Sequence, residues 1–225
     1  MPNHRQIHRH FKRADPALAE VVKQVGPFTL KPQRDRFKML VRSIISQQIS
    51  IAAARSIRER LEARVAPRGI RPETIVGLSI EQFRSVGISR QKASYLHDLA
   101  DKCGDGTVRL SRLGRMSDDE VIEELIRVKG IGRWSAHMFL IFALGRPDVF
   151  PLDDLGVRMA IQHLHKFKEL PKRDECLAVG SRWKPYASIG SWYCWRYLDL
   201  SRKSGSKKIS APTPVTKGTI KTKKK

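Results

Sequence analysis

The stretch VKGIGRWSAHMF, Val128 to Phe139, constrains this chain's fold most, because two glycines one residue apart break what otherwise reads as continuous helix. Glycine in a helix interior costs up to about 1 kcal/mol against alanine. The break therefore predicts a helix ending near Val128, a tight turn over Lys129–Arg133 and a second helix from Trp134. Gly130 and Gly132 can take positive φ and let another backbone come close. Such a turn leaves N–H groups at the start of the second helix pointing one way, a ready seat for a phosphate oxygen. Lys129 and Arg133 add charge there, and Ser135 adds a hydroxyl donor. A plain glycine C-cap between two helices is the simpler alternative for one glycine. Two of them, followed by a basic and a small residue in a strongly basic chain, favour the anion seat.

Helical spacing recurs along the rest of the sequence, and no segment sustains strand-like alternation. Asp15 followed by Pro16 reads as an N-cap with proline at the first helical position. Phe37, Leu40, Val41, Ile44 and Ile45 repeat at helical spacing, and Ser50 caps IAAARSIRERLEARV. Ser79 with Gln82, and Ser117 with Glu120, have capping-box spacing. Further helices are predicted across Trp134–Leu144, Leu155–Leu164, Arg173–Trp183 and Pro185–Leu200. The expectation is an all-α protein of about ten helices.

Charge narrows the partners. Against 22 acidic residues stand 44 Lys and Arg, a formal net charge of +22. Such an excess repels itself unless an anion lies near, and nucleic acid is the commonest one, ahead of an acidic membrane surface. No apolar run approaches the roughly 18 residues of a membrane span, and MPNHRQIHRHFKR has no apolar segment behind it that would make a secretory signal. Cys103, Cys176 and Cys194 are odd in number and far apart, which fits reduced, buried thiols. His4, His8, His10 and His97 have no zinc-ligand spacing and read as surface residues. Residues 1–202 read as the folded part. Residues 203–225, with eight lysines and no acids, cannot bury enough surface to offset ordering and are expected to be disordered. As a solubilising tail or, more in keeping with the rest of the chain, a non-specific arm for DNA, their loss would weaken salt-sensitive binding.

With the hairpin VKGIGRWSA in hand, three further segments line up in order: IISQQIS (Ile44–Ser50), DVFPLDDLGVR (Asp148–Arg158) and RWKPYASIGSWYCWRYLD (Arg182–Asp199). Together they resemble the helix-hairpin-helix DNA glycosylases, in particular the 3-methyladenine DNA glycosylase II, or alkylpurine, branch. The resemblance spans roughly residues 10 to 200. It implies two helical lobes with a central cleft, and hydrolysis of the N-glycosidic bond of a damaged base flipped out of duplex DNA. The start of the chain lies close to the first shared helix, so a compact version is expected, without the β-rich N-terminal domain of some bacterial relatives.

The resemblance also assigns roles. Asp153 and Asp154 precede LGVRMAIQHLH, where an Asp ordinarily caps a helix. Breaking a glycosidic bond builds positive charge on the sugar, which a fixed carboxylate near C1′ stabilises while water attacks. The match makes Asp154 catalytic and Asp153 a helper or a cap. Strand-cutting relatives carry a Schiff-base lysine where this chain has Trp134, which implies a monofunctional enzyme without lyase activity, although Lys129 is a nearby amine. Trp134 and Trp195 fall at the family's pocket aromatics and suit a cationic purine. Tyr186 either joins them or is structural, and Met138 stands where some relatives have an aromatic residue. Trp183 and Trp192 read as core or interface anchors. Gln48 matches the side chain that enters the base stack, with Gln47 supporting the turn. VGISRQKASYL echoes the hairpin and offers Ser89, Arg90 and Lys92 as phosphate contacts, or else is a solvated helix start.

No cofactor is expected. The cysteines lack iron–sulfur spacing, no metal site is read, and at most the hairpin backbone holds a monovalent cation, as in relatives. The implied partner is double-stranded DNA with damaged bases, met by a monomer with no membrane role, inside the cell: in cytoplasm or nucleoid if bacterial, in the nucleus if eukaryotic. Two rivals remain at this point: a non-catalytic helix-hairpin-helix DNA-binding protein with Asp154 as a mere cap, and a glycosylase for deaminated or oxidised bases.

Overall fold

A computed structural model describes residues 2–203 of the chain. Among the described residues there are twelve α-helices and two 3₁₀ turns. They run α1 (His4–Ala14), α2 (Pro16–Val25), α3 (Arg36–Ser46), α4 (Ile51–Arg64), α5 (Pro72–Val76), α6 (Ile80–Ser85), α7 (Arg90–Gly104), α8 (Asp118–Ile126), α9 (Arg133–Phe142), α10 (Leu155–His165), α11 (Arg173–Gly180) and α12 (Ala187–Lys203). Lys203 ends α12, and the rest of the basic tail lies outside the described residues. No described helix is long and apolar enough to cross a membrane.

The chain divides into two units: Thr29–Asp153, and the two flanking stretches Met1–Phe28 and Asp154 onward. In the flanking unit, α2 packs against α10 and α12, and α1 packs on α2. Helix α1 is legible only in hindsight. Its Ile7 and Phe11, four residues apart, are the buried pair, and Asn3 with Gln6 closes a capping box ahead of them. The expected Asp15–Pro16 start is present, with Asp15 accepting from the Leu18 N–H at 3.1 Å. That carboxylate is only 1% exposed. Its other oxygen takes Trp183 Nε1 at 2.8 Å and His165 Nε2 at 3.1 Å. Trp183 is thus a core anchor, as expected. It sits so tightly against α12 that a Cβ on Gly190 would lie 2.6 Å from its ring. Trp192 is buried too, edge-on to Phe28 at 5.1 Å.

In the 29–153 unit, α3 packs on α4, α7 and α9, α7 on α5 and α6, and α8 on α9. The expected caps of Ser50, Ser79 and Ser117 are all made. Helix α9, RWSAHMFLIF, is apolar nearly all round after its first turn, and such a helix lies inside a core. Two expectations about isolated residues change. His4, His8, His10 and His97 are half-buried, not surface groups, and the rings of His97 and His10 meet the Leu78 carbonyl at 2.9 Å and the Trp183 carbonyl at 3.1 Å. The three thiols are free, Cys176 and Cys194 buried and Cys103 half-buried. Burial, helped by Asp105, pushes the Cys103 thiol up to about 11.

Candidate functional site

In the 29–153 unit the glycine turn is held against one stripe of α7. Helix α8 ends at Ile126 and α9 begins at Arg133 with Gly132 as its N-cap, within a residue or two of expectation. Only Gly130 has positive φ, at +79°. Gly132 lies at −97°, a value open to any residue. The expectation that both glycines use left-handed backbone is corrected on this point, and so is the identity of what comes close. A Cβ on Gly130 would stand 2.1 Å from Cδ2 of Tyr95, so the glycine makes room for an aromatic ring of α7. A Cβ on Gly132 would meet nothing within 4 Å. Helix α9 has no side-chain cap, the condition under which a helix N-terminus accepts an outside oxygen.

Asp98 of α7 fixes the start of the turn. Its Oδ2 accepts from the Lys129 N–H at 2.8 Å and from Lys102 Nζ at 2.7 Å, and Lys102 also reaches the Arg127 carbonyl at 2.6 Å. Burial works against the charged form of Asp98, but Lys102 and Lys129 outweigh it and hold the carboxyl below its usual range. Lys129 itself is exposed, with Nζ 3.8 Å from Asp98 Oδ1, and Arg133 and Arg90 are exposed as well.

The Gln47–Gln48 turn joins the same stripe. Lys92 Nζ donates to the carbonyls of Ile45 and Gln47, each at 2.7 Å, and so closes the open end of α3. Gln47 Nε2 donates to the Gly130 carbonyl at 2.8 Å, which ties the turn to the hairpin. Gln48 is exposed and takes the left-handed conformation at φ +56°, a strained setting for a non-glycine residue. Lys92 therefore does not belong with the phosphate contacts: its ammonium is spent on two carbonyls, and burial lowers its pKa. Ser89 likewise serves as the N-cap of α7. Ser135 is 3% exposed inside α9 and presents no hydroxyl at the surface, which removes it from the anion seat. Sequence reasoning misses Tyr95 and Asp98. Their one signal is that Lys92, Tyr95, Asp98 and Lys102 follow each other at three or four residues, a single face of a helix.

The two candidate pocket residues of this unit are placed unequally. Trp134 is 39% exposed in the first turn of α9, while Met138 is buried one turn on.

In the other unit Asp154 is both cap and candidate. It is 8% exposed at the N-terminus of α10. Its Oδ1 accepts from the Val157 N–H at 2.8 Å and from Trp195 Nε1 at 2.9 Å. The cap expected of one aspartate of the pair thus belongs to Asp154, while Asp153 is exposed. Gly156 keeps the arrangement tight: a Cβ there would stand 3.1 Å from both Asp154 Oδ1 and Trp195 Cδ1. Tyr186 sits in other company. Its ring meets His10 edge-on at 5.0 Å, in a hollow of about 440 Å³ lined by Arg9, His10 and Arg13, without Asp154 or Trp195. Among the described residues no group of three or more His, Cys, Asp or Glu side chains is placed to hold a metal.

Comparison with known proteins points one way. A family model described as HhH-GPD superfamily base excision DNA repair protein matches residues 41–185. DNA-3-methyladenine glycosylase 1 of Schizosaccharomyces pombe is 32% identical over 198 residues, covering 85% of this chain and 86% of that one. A putative DNA-3-methyladenine glycosylase of Bacillus subtilis is 31% identical over 204 residues, covering 88% and 70%. The solved S. pombe 3-methyladenine DNA glycosylase in complex with abasic DNA superposes with a TM-score of 0.79 at 30% identity, covering 87% of this chain and 98% of that one.

Proposed function

Because the chain belongs to the HhH-GPD superfamily of base excision DNA repair proteins, we propose that it is a monofunctional DNA glycosylase. It releases alkylated purines of the 3-methyladenine and 7-methylguanine type from duplex DNA. Relatives named for 3-methyladenine matching over most of both chains support that substrate class. The observation that carries the reading is the buried Asp154 carboxylate, oriented at a helix N-terminus by an aromatic N–H. A carboxylate fixed in this way is suited to face C1′ of an everted nucleotide. The C1′–N bond breaks with its electron pair leaving on the base, which the alkyl group has made cationic and hence a good leaving group. Water adds at C1′ and gives its proton to Asp154, so the site stabilises the sugar cation and then accepts the proton.

By the family resemblance Trp195 supplies an aromatic face for the cationic purine, worth about 0.5–2 kcal/mol when desolvated, and Trp134, exposed in its own unit, offers an indole face of the same kind. The Trp195 N–H links its own ring to the carboxylate. The turn at Gly130–Gly132, with Lys129 and Arg133, takes a backbone phosphate, Arg90 takes another, and Gln48 fills the gap left by the flipped base. With tryptophan at the position of the lyase amine, the strand is left uncut. A monovalent cation on hairpin carbonyls is compatible with this reading, since the Gly130 carbonyl that accepts Gln47 keeps a second lone pair; no step passes through it. The protein acts as a monomer inside the cell, in nucleoid or nucleus.

Release of 3-methyladenine, 7-methylguanine, hypoxanthine and uracil from defined duplexes, by wild type and Asp154→Asn, tests the reading. Release of the two alkylpurines, lost in Asp154→Asn with duplex affinity kept, is the expected result. Uracil release alone overturns the substrate class, and undiminished activity in the variant overturns the role of Asp154.

A further inference from the structure

The segment between α7 and α8, VRLSRLGRMS, carries arginine at every third position: Arg109, Arg112 and Arg115. It coils through successive three-residue turns, with Arg112 N–H on the Arg109 carbonyl and Arg115 N–H on the Arg112 carbonyl, each at 2.9 Å. The second turn is a 3₁₀ helix, Leu113–Arg115, a geometry in which residues three apart eclipse one another at steps of about 6 Å. The side chains sort accordingly. Arg109, Arg112 and Arg115 are all exposed, while Leu113 on the next row is buried. The coil is fastened from behind by two further arginines. Arg36 donates to the carbonyls of Leu110 and Ser111, and Arg146 to those of Gly114 and Met116.

The outward row lines a hollow of about 870 Å³ that Arg127 also enters from the end of α8. One carboxylate, Glu124, is present. Its Oε1 takes the Arg109 backbone N–H at 3.2 Å and its Oε2 pairs with Arg127 at 3.2 Å, so it is engaged in fastening the coil. Arg112 and Arg115 make no ion pair among the described residues.

We propose that this arginine row is a second phosphate-binding site, which takes the sugar-phosphate backbone of duplex DNA flanking the lesion. The inference rests on the proposed duplex-binding function and extends its footprint. Three features select this ligand. Guanidinium forks at regular steps suit a polymer with evenly repeated anions. Met116 is the one long apolar side chain in the lining, too little for the apolar anchors of a protein interface. Arg127 lies two residues before Lys129, so the row continues from the hairpin that already faces DNA in the proposed function.

The test compares wild-type full chain with Arg112→Gln/Arg115→Gln and Arg112→Lys/Arg115→Lys on lesion-bearing duplexes of about 10 and about 30 base pairs. Two lost phosphate contacts should lower the magnitude of the salt slope on the long duplex by about 2, which is about tenfold in affinity over a fourfold salt range. On the short duplex affinity and base release should be unchanged, and the lysine pair should restore the salt slope. An unchanged slope on the long duplex, an equal loss on both lengths, or failure of lysine to restore it overturns the proposal. So does loss of polyglutamate binding with DNA binding intact, which would make the row a seat for an acidic protein. Base release by wild type from the short duplex is read separately, so a protein with no glycosylase activity fails that reading without deciding the arginine row.

Discussion

Gly156 measures how little room surrounds the Asp154–Trp195 pair. Replacing it with alanine puts a methyl group 3.1 Å from the carboxylate oxygen and from the indole edge at once, and one of them must move. At that separation a shift of a few tenths of an ångström suffices, a fraction of the roughly 1 Å displacement that costs on the order of 100-fold in rate. Gly156→Ala is therefore expected to lower base release by about 3- to 10-fold while leaving duplex affinity within about twofold, as single-turnover assays and fluorescence anisotropy would show. Equal losses of both would mean that the residue matters for the fold and not for the carboxylate. In the proposed function Asp154 has two jobs, capping α10 and presenting its carboxylate to the sugar. Asn keeps an oxygen for the cap, which is why Asp154→Asn is the informative change and Ala is not.

Helix α7 organises the two turns of its unit that the proposed function assigns to DNA. Lys92 closes α3 and fixes the backbone that displays Gln48, Tyr95 fills the space left by Gly130, and Asp98 holds the entry of the hairpin. Lys92→Met keeps the stem and removes the two carbonyl bonds. It should free the Gln47–Gln48 turn, cost about 1–2 kcal/mol in urea unfolding, and weaken base flipping, read by fluorescence of 2-aminopurine beside the lesion, more than it weakens duplex binding. Gly130→Ala combines a left-handed residue with a collision against Tyr95. A loss of about 2–4 kcal/mol is expected, together with reduced affinity for undamaged duplex. Unaltered stability in this variant would show that Tyr95 can leave without cost.

At the scale of the whole molecule, Asp15 ties α2, α10 and the Trp183 turn into one unit. Burial opposes its ionised form, yet the His165 partner and the N–H groups of Trp183 and Leu18 hold its carboxyl below the usual carboxylate range. A folded pKa below the unfolded one means that the stabilisation is present above the unfolded value and is lost as pH falls through the folded value. Urea midpoints taken downward from pH 5 should fall more steeply for wild type than for Asp15→Asn, which should itself be less stable by about 2 kcal/mol at pH 7; parallel curves would remove Asp15 from the acid response. Much of this molecule was legible one residue type at a time. Helical spacing, caps such as Asp15 and Ser50, the glycine break and a cap within the Asp153–Asp154 pair are local, because a cap or a turn depends on neighbours within four residues along the chain. What the tertiary structure alone decided concerns partners far apart in sequence. Lys92 was turned from a phosphate contact into a clamp by carbonyls 45 and 47 residues away. Ser135 was withdrawn because its face of α9 is buried already in the first turn, and Asp154 met its Trp195 donor across 41 residues. Hydrogen bonds of that range follow from how helices pack, and helix periodicity carries the buried face of each element but not the identity of the side chain it will meet.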